Sequence, residues 1–476
     1  MHEVPTFVVV GHPNKGKSSV VAALTQDDSV RIAPRSGTTT QSEAFDVTID
    51  DRVIYRLVDT PGFQRPRRAL SWMREHASTA ADRPDAVRAF LTQHAGTGVM
   101  DEECALLQPL IDGGLAVYVV DGSVPYGPEY EDEMEILRWT GRPGLGLVNP
   151  IRSSEHLDSW ITALRQFLGV VCVFNPVEAD YRVRIDVLNQ FGTIASAHDG
   201  PAITDSLSLL EADRERAHQR AARTLAEWVA RALTERVEQL LGKDAIVTAC
   251  EPELRDQYQE QLREAEKRCR SEVERVYRHR RLERTEEALA FNEGDLFAAD
   301  RWYLWGLDRR QMLTTLGASG VTAGAAGGVV VDVGLGGSSL AAGAVIGSMI
   351  GGASGLWAGL RYSDRLADVR LGPVKLAGRR AIYGPSTNPN LPFVVLGRAL
   401  AHHRVVARWS HARREVMAIE PESAEAIWHE PAFDAVRRDL EIAFRKIRST
   451  RGDDAAIQRL SGLLKPLLSL TDSYQD

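Results

Sequence analysis

Cysteine is scarce and scattered in this sequence. Its four cysteines, Cys104, Cys172, Cys250 and Cys269, lie far apart, form no C-x-x-C pair and have no nearby histidine. Such spacing argues against a zinc site and against a disulfide framework, and it favours a reducing compartment. Cys172 lies within the apolar run GVVCVF, where we expect an ordinary core residue.

An excess of positive charge is also missing. The 476 residues include 57 Lys and Arg against 65 Asp and Glu, which gives a formal net charge of −8. This balance disfavours a protein that coats nucleic acid with its whole surface. The N-terminus, MHEVPTFVVVG, lacks the charged region and apolar stretch of a signal peptide, so we expect a cytoplasmic protein. The length is enough for about three domains.

The strongest motif present is GHPNKGKSS, residues 11–19. Its spacing fits G-x-x-x-x-G-K-[ST], which requires a strand before it and a helix after it, and both are predicted here. Backbone amides and the helix N-terminus then face phosphate, the lysine adds a positive charge and the serine hydroxyl ligates magnesium. A glycine turn without a ligand is the alternative. The predicted nucleotide-binding residues of this cradle are Gly11, Asn14, Lys15, Gly16, Lys17, Ser18 and Ser19.

Alternating strand-like and helical segments follow the cradle. They predict an α/β fold of the P-loop NTPase kind, with a mostly parallel sheet covered by helices. The short DDR connection between the second and third strands predicts one antiparallel edge pair. The predicted strands are Thr6–Val10, Ala44–Ile49, Val53–Asp59, Leu115–Asp121, Leu145–Asn149 and Val170–Phe174.

Two further motifs follow at suggestive spacing. LVDTPG, residues 57–62, ends the third predicted strand with a carboxylate where a magnesium-facing aspartate belongs. Its glycine can offer a backbone N–H to a γ-phosphate. SGTTT, residues 36–40, lies between the cradle and this strand in a polar loop that can order around a metal.

GHPNKGKSS, SGTTT and DTPG together resemble the first three motifs of the translation-factor-related GTPases, in particular the Era and TrmE branch. The resemblance implies GTP as substrate and Lys17, Thr39 and Gly62 as catalytic residues. It implies Ser18, Thr39 and Asp59 as magnesium ligands, and Asn14 as a residue that helps to bind potassium. Phe63 stands where other small GTPases carry a water-positioning glutamine. Hydrolysis would then depend on potassium, on dimerisation or on another residue.

The resemblance weakens at the base-reading motif, N-K-x-D in this family. Here the fifth predicted strand runs into NPIR, residues 149–152, in which Asn149 fits but Pro150 and Arg152 replace the lysine and the aspartate. Arginine donates hydrogen bonds and accepts none, so it cannot read the guanine N1 and N2 hydrogens. A GTPase with an altered base pocket is favoured over an ATPase or a chain that has lost nucleotide binding. The segment between Gly62 and Leu115 is also longer than a compact domain needs and carries either partner contacts or a lengthened surface helix.

The second half is predicted to be mostly α-helical. Asp205 or Ser206 can cap a helix that runs to Gly242, and a heavily charged helix is predicted from about Glu253 to Ala290. Together these form a stalk-like region. His402 and His403 lie on a later predicted helix without an acidic partner nearby in the sequence, which indicates surface or packing residues.

Between Arg310 and Arg361 the only ionisable residue is Asp332. Met312–Val331 and Leu340–Leu360 each reach the roughly 20 residues that cross a bilayer core, which predicts a hydrophobic helical hairpin. Its glycines recur at four-residue steps, as in closely packed membrane helices. A soluble hairpin buried under other helices is the alternative. Basic residues follow the run and suit anionic lipid headgroups or an ordinary solvated face: Arg361, Arg365, Arg370, Lys375, Arg379 and Arg380.

These patterns predict four regions: a P-loop GTPase domain at 1–198, a charged helical region at 205–310, the glycine-rich hairpin at 311–360, and a basic segment with closing helices at 361–476. The C-terminal half resembles the domain of unknown function attached to a family of bacterial Era-like GTPases. We expect a GTP- and magnesium-dependent switch coupled to the inner membrane, with homodimers or larger oligomers as an option. A dynamin-like remodelling GTPase and a ribosome-associated Era-like GTPase are the alternatives, although binding to nucleic acid is disfavoured.

Overall fold

The computed structural model describes residues 4–26, 41–195, 200–241, 250–279, 282, 360–371, 374–386, 391–417 and 427–470. The chain divides into two compact units. The first comprises Met1–Ala217, Arg278–Leu282 and Ala407–Glu415, and the second comprises His218–Tyr277, Glu283–Val406 and Val416–Asp476.

A six-stranded sheet forms the centre of the first unit, in the order β2-β3-β1-β4-β5-β6. β2 pairs with β3 in antiparallel fashion and every other pair is parallel, so the predicted sheet with one antiparallel edge is confirmed. The predicted strands differ from those observed by at most one residue at either end. The strands are β1 (Thr6–Val10), β2 (Glu43–Ile49), β3 (Arg52–Asp59), β4 (Leu115–Asp121), β5 (Gly144–Asn149) and β6 (Val170–Val173).

Helices cover both faces of this sheet. Two apolar clusters, one on each face, form the core because the central strands are apolar on both sides. The helices are α1 (Lys17–Thr25), α2 (Pro66–Glu75), α3 (Arg83–His94), α4 (Asp101–Ile111), α5 (Glu131–Trp139), α6 (Leu157–Leu164), α7 (Tyr181–Ile194) and α8 (Gly200–Thr234). The last of these continues from the first unit into the second.

Two later segments of the chain complete the first unit. Ala412 lies in the same apolar cluster as Phe191 and Leu210. Ser410 Oγ donates a 2.5 Å hydrogen bond to the carbonyl oxygen of Pro176. Residues 407–415 are therefore part of the fold of the first unit, although about 170 residues of sequence separate them from the end of α8.

Helix α8 begins earlier and ends earlier than predicted. It starts at Gly200, and Pro201 suits the first turn because proline needs no N–H there. Ser206 therefore lies inside the helix, where its hydroxyl donates to the carbonyls of Ala202 and Ile54. The helix stops at Thr234 instead of Gly242, because VEQLL alternates between buried and exposed positions and forms strand β7 (Val237–Leu241).

The second unit contains a sheet that the sequence did not predict. β7 pairs with β9 (Val374–Tyr383), which also pairs with β8 (Leu360–Leu371), both in antiparallel fashion. The arginine-rich segment predicted as a flank of the hairpin thus forms strands, and Gly-Pro at 372–373 is a turn signal between them. In the described part of this unit, the helices after α8 are α9 (Glu251–Val276), α10 (Leu391–Arg408, with its last two residues in the first unit), α11 (Pro431–Thr450) and α12 (Asp454–Ser469).

Buried polar pairs join α9 to α10. Glu266 accepts hydrogen bonds from Arg270 at 2.6 Å and from Arg398 at 2.9 Å, and these two guanidinium groups hold the pKa of the buried carboxyl below its usual range although burial alone would raise it. His402 Nε2 lies 3.0 Å from Glu274 Oε1, and His403 Nε2 lies 2.7 Å from the Tyr277 hydroxyl. His402 therefore has the acidic neighbour that the sequence did not reveal, and both histidines are buried packing residues.

The glycine-rich hairpin predicted at 311–360 lies outside the described residues, apart from Leu360, which begins β8. Among the helices that are described, none combines the length and the apolar character needed to cross a bilayer.

Candidate functional site

The phosphate loop connects β1 to α1 at the carboxyl edge of the sheet. Its backbone has positive φ at Gly11 (139°), Asn14 (61°) and Gly16 (87°), which only glycine and asparagine adopt readily. A Cβ atom on Gly11 would lie 2.4 Å from the carbonyl oxygen of Val119. One on Gly16 would lie 2.4 Å from Asn149 Nδ2. Both glycines are thus required by conformation and by space.

Lys17 is the first residue of α1, and its side chain folds back over the loop. Nζ donates to the carbonyl oxygens of Gly11 at 3.2 Å and of His12 at 3.0 Å. The side chain is buried, and this burial lowers the pKa of Lys17 to about 8 from 10.5, although the charges of Asp59 and Glu133 oppose the shift. A phosphate placed here would favour the charged form of the lysine and raise this pKa.

Ser18 and Asp59 meet beside the loop. Ser18 Oγ donates a 2.6 Å hydrogen bond to Asp59 Oδ2, although 41 residues separate them in the sequence. The contact exists because β1 and β3 are parallel neighbours, with Val9 opposite Asp59 in the register. A hydroxyl and a carboxylate are hard oxygen ligands of the kind that Mg²⁺ prefers. These two residues fit a magnesium site, whereas Thr39, the third predicted ligand, lies outside the described residues.

The predicted γ-phosphate loop, Thr60–Gly62, packs against the cradle. Thr60 Oγ1 donates to the carbonyl oxygen of Val9 at 2.7 Å, and the Phe63 amide donates to that of Gly11 at 3.3 Å. A Cβ on Gly62 would lie 2.5 Å from the backbone nitrogen of Pro13. Phe63 has no exposed surface, so its side chain is part of the core. Phe63 therefore has a packing role in this structure.

Asn149 is the last residue of β5 and contacts the phosphate loop. Its Nδ2 donates a 3.4 Å hydrogen bond to the carbonyl oxygen of Lys15, and the residue is almost fully buried. The next residues point outward, since Ile151 is 44% exposed and Arg152 is also exposed. The structure therefore brings Asn149 to the cradle together with the other predicted residues that are described.

Sequence reasoning missed a buried network behind the loop. Glu133 of α5 has no exposed surface, and its two oxygens lie 2.8 Å from His12 Nδ1 and 2.8 Å from the Tyr118 hydroxyl. Asp121, at the end of β4, also contributes, because its Oδ2 lies 3.7 Å from Lys15 Nζ. Only Asp121 carried a usable signal, since it is a carboxylate that ends a predicted strand.

In the described part of the chain, no group of three or more His, Cys, Asp or Glu side chains is arranged to hold a metal ion. Phosphate oxygens and water would have to supply most of the ligands of a magnesium ion at Ser18 and Asp59, as in phosphoryl-transfer sites generally.

Two family models match this chain. Residues 6–122 match the family described as 50S ribosome-binding GTPase (MMR_HSR1). Residues 162–459, well over half of the chain, match the domain of unknown function DUF3482. The chain belongs to the DUF3482 family. Its DUF3482 region begins within α6, so it includes the last strand of the nucleotide-binding sheet as well as most of the second unit.

Curated relatives of this DUF3482 protein carry the name GTPase Der. The protein from Xylella fastidiosa (strain M23) is 29% identical over 175 residues, which are 33% of this chain and 37% of that protein. The protein from Stenotrophomonas maltophilia (strain R551-3) is 31% identical over 135 residues, 27% of this chain and 29% of that protein. The chain thus spans about a third of the curated relatives it matches.

Among solved structures, Era from Aquifex aeolicus bound to GDP and aluminium fluoride is 16% identical, with 57% of this chain and 89% of that chain covered. The TM-score of this match is 0.29. The P-loop GTPase fold of the first unit is carried by the family match and by the sheet order and loop geometry described above.

Proposed function

We propose that this DUF3482 protein binds GTP with Mg²⁺ and hydrolyses it, and that the phosphate state acts as a switch. The observation that supports the proposal best is that the phosphate loop, Lys17 and the pair formed by Ser18 and Asp59 lie together. Lys17 lies over a loop with positive φ at three positions, and Ser18 and Asp59 lie 2.6 Å apart beside it.

Each residue has a definite task in this proposal. Lys17 places a positive charge on the terminal phosphates, and the Gly62 amide donates to the γ-phosphate. Ser18 and Asp59 hold magnesium, directly or through water, and Thr39 is its third proposed ligand. When bound, magnesium would supply positive charge to the phosphate oxygens. Asn149 keeps the loop in place through the Lys15 carbonyl.

Binding is tested by titrating the full chain with fluorescent GTP, with GDP and ATP as competitors. Lys17→Ala should weaken GTP binding by at least 100-fold, because it removes the side-chain positive charge proposed to lie on the terminal phosphates. Lys446→Ala, on α11 of the second unit, is the matched control and should bind normally. A Lys17→Ala chain that binds GTP as tightly as the wild type would contradict the proposed cradle.

Hydrolysis is tested by phosphate release with and without Mg²⁺. Asp59→Asn should slow release strongly while GDP binding falls less, since the carboxylate serves the metal. The competition with ATP also tests whether the protein prefers guanine, because NPIR stands where the family has its guanine-reading motif. Equal affinities for GTP and ATP would leave a phosphate-binding switch without selection for guanine.

The proposal also includes a role for potassium, which depends on Asn14. This residue has a φ of 61° in the loop, a conformation that asparagine tolerates. We propose that its side chain helps to bind K⁺ beside the phosphates. Phosphate release should then be faster in K⁺ than in Na⁺ at equal ionic strength, and Asn14→Ala should abolish that difference. Equal rates in the two salts would refute the role of potassium.

We also propose that residues 311–359 bring the protein to the cytoplasmic face of the inner membrane. The support is the sequence alone, namely a long run with one ionisable residue and regularly spaced glycines. Deleting 312–359, which leaves β8 intact from Leu360, should move the protein from the membrane fraction to the soluble fraction. Sedimentation with liposomes that depends on GTP would favour the dynamin-like alternative, and migration with ribosomal subunits would favour the Era-like one.

A further inference from the structure

Helix α4 lies in the long segment between Gly62 and Leu115, and it contacts the chain at two places near the cradle. One contact reaches the residues that follow Gly62. The other reaches Ser42, which follows the SGTTT run by two residues. Neither contact was expected from the sequence.

The first contact is made by Glu103. This carboxylate has no exposed surface, and its Oε1 accepts hydrogen bonds from the backbone amides of Gln64 at 3.0 Å and Arg65 at 2.5 Å. Both amides immediately precede α2, where unpaired N–H groups and the helix dipole favour a negative charge. Glu103 therefore caps α2 from another helix and fixes the chain directly after Gly62 and Phe63.

The second contact depends on a proline inside α4. Pro109 has no backbone N–H, so the carbonyl oxygen of Ala105, four residues earlier, loses its helical donor. The hydroxyl of Ser42 donates to this same oxygen at 2.6 Å. The proline thus creates an acceptor inside a regular helix, and this acceptor binds Ser42, the residue directly before β2.

These bonds lie close to the cradle. Only Phe63 separates Gly62 from Gln64, and the Phe63 amide is itself bonded to the Gly11 carbonyl. Gly62 packs against Pro13 so closely that a Cβ would not fit. A shift at the amides held by Glu103 would therefore move the Gly62 amide relative to the phosphates.

We propose that α4 is a clamp that positions the chain after Gly62 and the start of β2 for GTP, with Glu103 and Ser42 as positioning residues and Pro109 as the residue that frees the acceptor. The proposal rests on the GTPase function proposed above. The Gly62 amide is proposed to contact the γ-phosphate, and Asp59, which pairs with Glu43 next to Ser42, is proposed to hold magnesium, so loosening the clamp weakens binding of the triphosphate and slows turnover. GDP lacks that phosphate, and its affinity stays nearly unchanged.

The test uses the full chain and compares affinity for GDP with affinity for the non-hydrolysable analogue GMPPNP, together with kcat and KM for GTP. Ser42→Ala and Pro109→Ala should each lower GMPPNP affinity relative to GDP by about 3- to 10-fold, the effect of one hydrogen bond. The double variant should be no worse than either single variant, because both changes remove the same bond. Glu103→Gln, which removes the charge but keeps an acceptor, should lower kcat by about 10-fold.

Thermal stability separates positioning from folding. Pro109→Ala restores a helical N–H and replaces a poor helix former, so its Tm should be unchanged or higher while its GMPPNP affinity falls. Ser71→Ala, an exposed hydroxyl bonded within α2, and Glu102→Gln, the neighbour of Glu103, are the matched controls and should match the wild type.

The clamp is refuted if the Ser42 and Pro109 effects add in the double variant, or if each variant changes GDP and GMPPNP affinity equally. If the wild-type chain hydrolyses GTP and all three single variants match it, the clamp is refuted and the GTPase function stands. A wild-type chain that binds neither nucleotide overturns the GTPase function and the clamp together.

Discussion

The buried lysine of the cradle should make nucleotide binding depend on pH. Burial lowers the pKa of Lys17 to about 8, some 2.5 below its ordinary 10.5. At 1.36 kcal/mol per pH unit, keeping this side chain charged without nucleotide costs about 3 kcal/mol. A bound phosphate favours the charged form and raises the pKa again. Nucleotide binding should therefore take up a proton wherever the free protein has lost one.

The size and direction of this effect follow from the two protonation states. Well below pH 8 the lysine is already charged, and affinity does not depend on its titration. At pH 8 about half a proton should be taken up per nucleotide bound, and at pH 9 affinity should be about 10-fold below its low-pH limit. Without nucleotide, rising pH has the opposite effect on folding and increases stability. The reason is that the unfolded chain holds the Lys17 proton more tightly than the folded chain does. Lys17 thus makes the free energy of unfolding rise between about pH 8 and 10.5.

The assay is isothermal titration calorimetry of the full chain with GDP between pH 7 and 9, in buffers of different ionisation enthalpy. The slope of observed heat against buffer enthalpy gives the protons taken up. Lys17→Arg is the control, since arginine stays charged throughout this range. Whatever pH dependence that variant retains belongs to the nucleotide or to other groups. Affinity that is flat from pH 7 to 9 in the wild type, with heat independent of buffer, would refute the argument.

Three further changes test the packing around the site and in the second unit. Gly16→Ala should abolish nucleotide binding and lower Tm, because the residue has a φ of 87° and its new methyl group would meet Asn149. Gly462→Ala on α12, where a methyl group has open space, is the control for both measurements. Glu133→Ala should lower the free energy of unfolding in urea by about 3 kcal/mol or less, since the buried Tyr118 hydroxyl loses its acceptor. A change below about 0.5 kcal/mol would contradict that role. Glu266→Ala should destabilise the protein by about 3–5 kcal/mol, because it leaves Arg270 and Arg398 buried without their carboxylate, and exposed Glu260→Ala should change stability little in the same urea titration.

The first unit was predictable because its signals are local and periodic. Each strand of the sheet is a short apolar or alternating run, and the cradle has fixed spacing between its glycines, lysine and serine. The meeting of Ser18 with Asp59 also followed, since parallel strands end at one edge of the sheet. Residues such as Glu133 and Glu103 could not be recognised, because a glutamate in a helix is ordinarily solvated and only the fold reveals its burial.

The second half resisted prediction for a different reason. The run VEQLL continues a helical stretch without a break in composition, and its strand exists because it pairs with β9, about 140 residues later. Pairing over such a distance leaves almost no local signal. The partnership of His402 with Glu274 is equally non-local, because it joins α10 to α9 across 128 residues of sequence.

The interleaving of the two units along the chain limits how the protein can be divided. A fragment that stops at residue 217 would contain the whole nucleotide sheet but would lose the stretch that returns at 407–415. It would then expose the apolar surface that Ala412 covers and leave the Pro176 carbonyl without its serine. Any truncation that keeps only the amino-terminal portion therefore removes part of that portion's own interior. The chain passes between the two units five times, so no single cut in the sequence separates them.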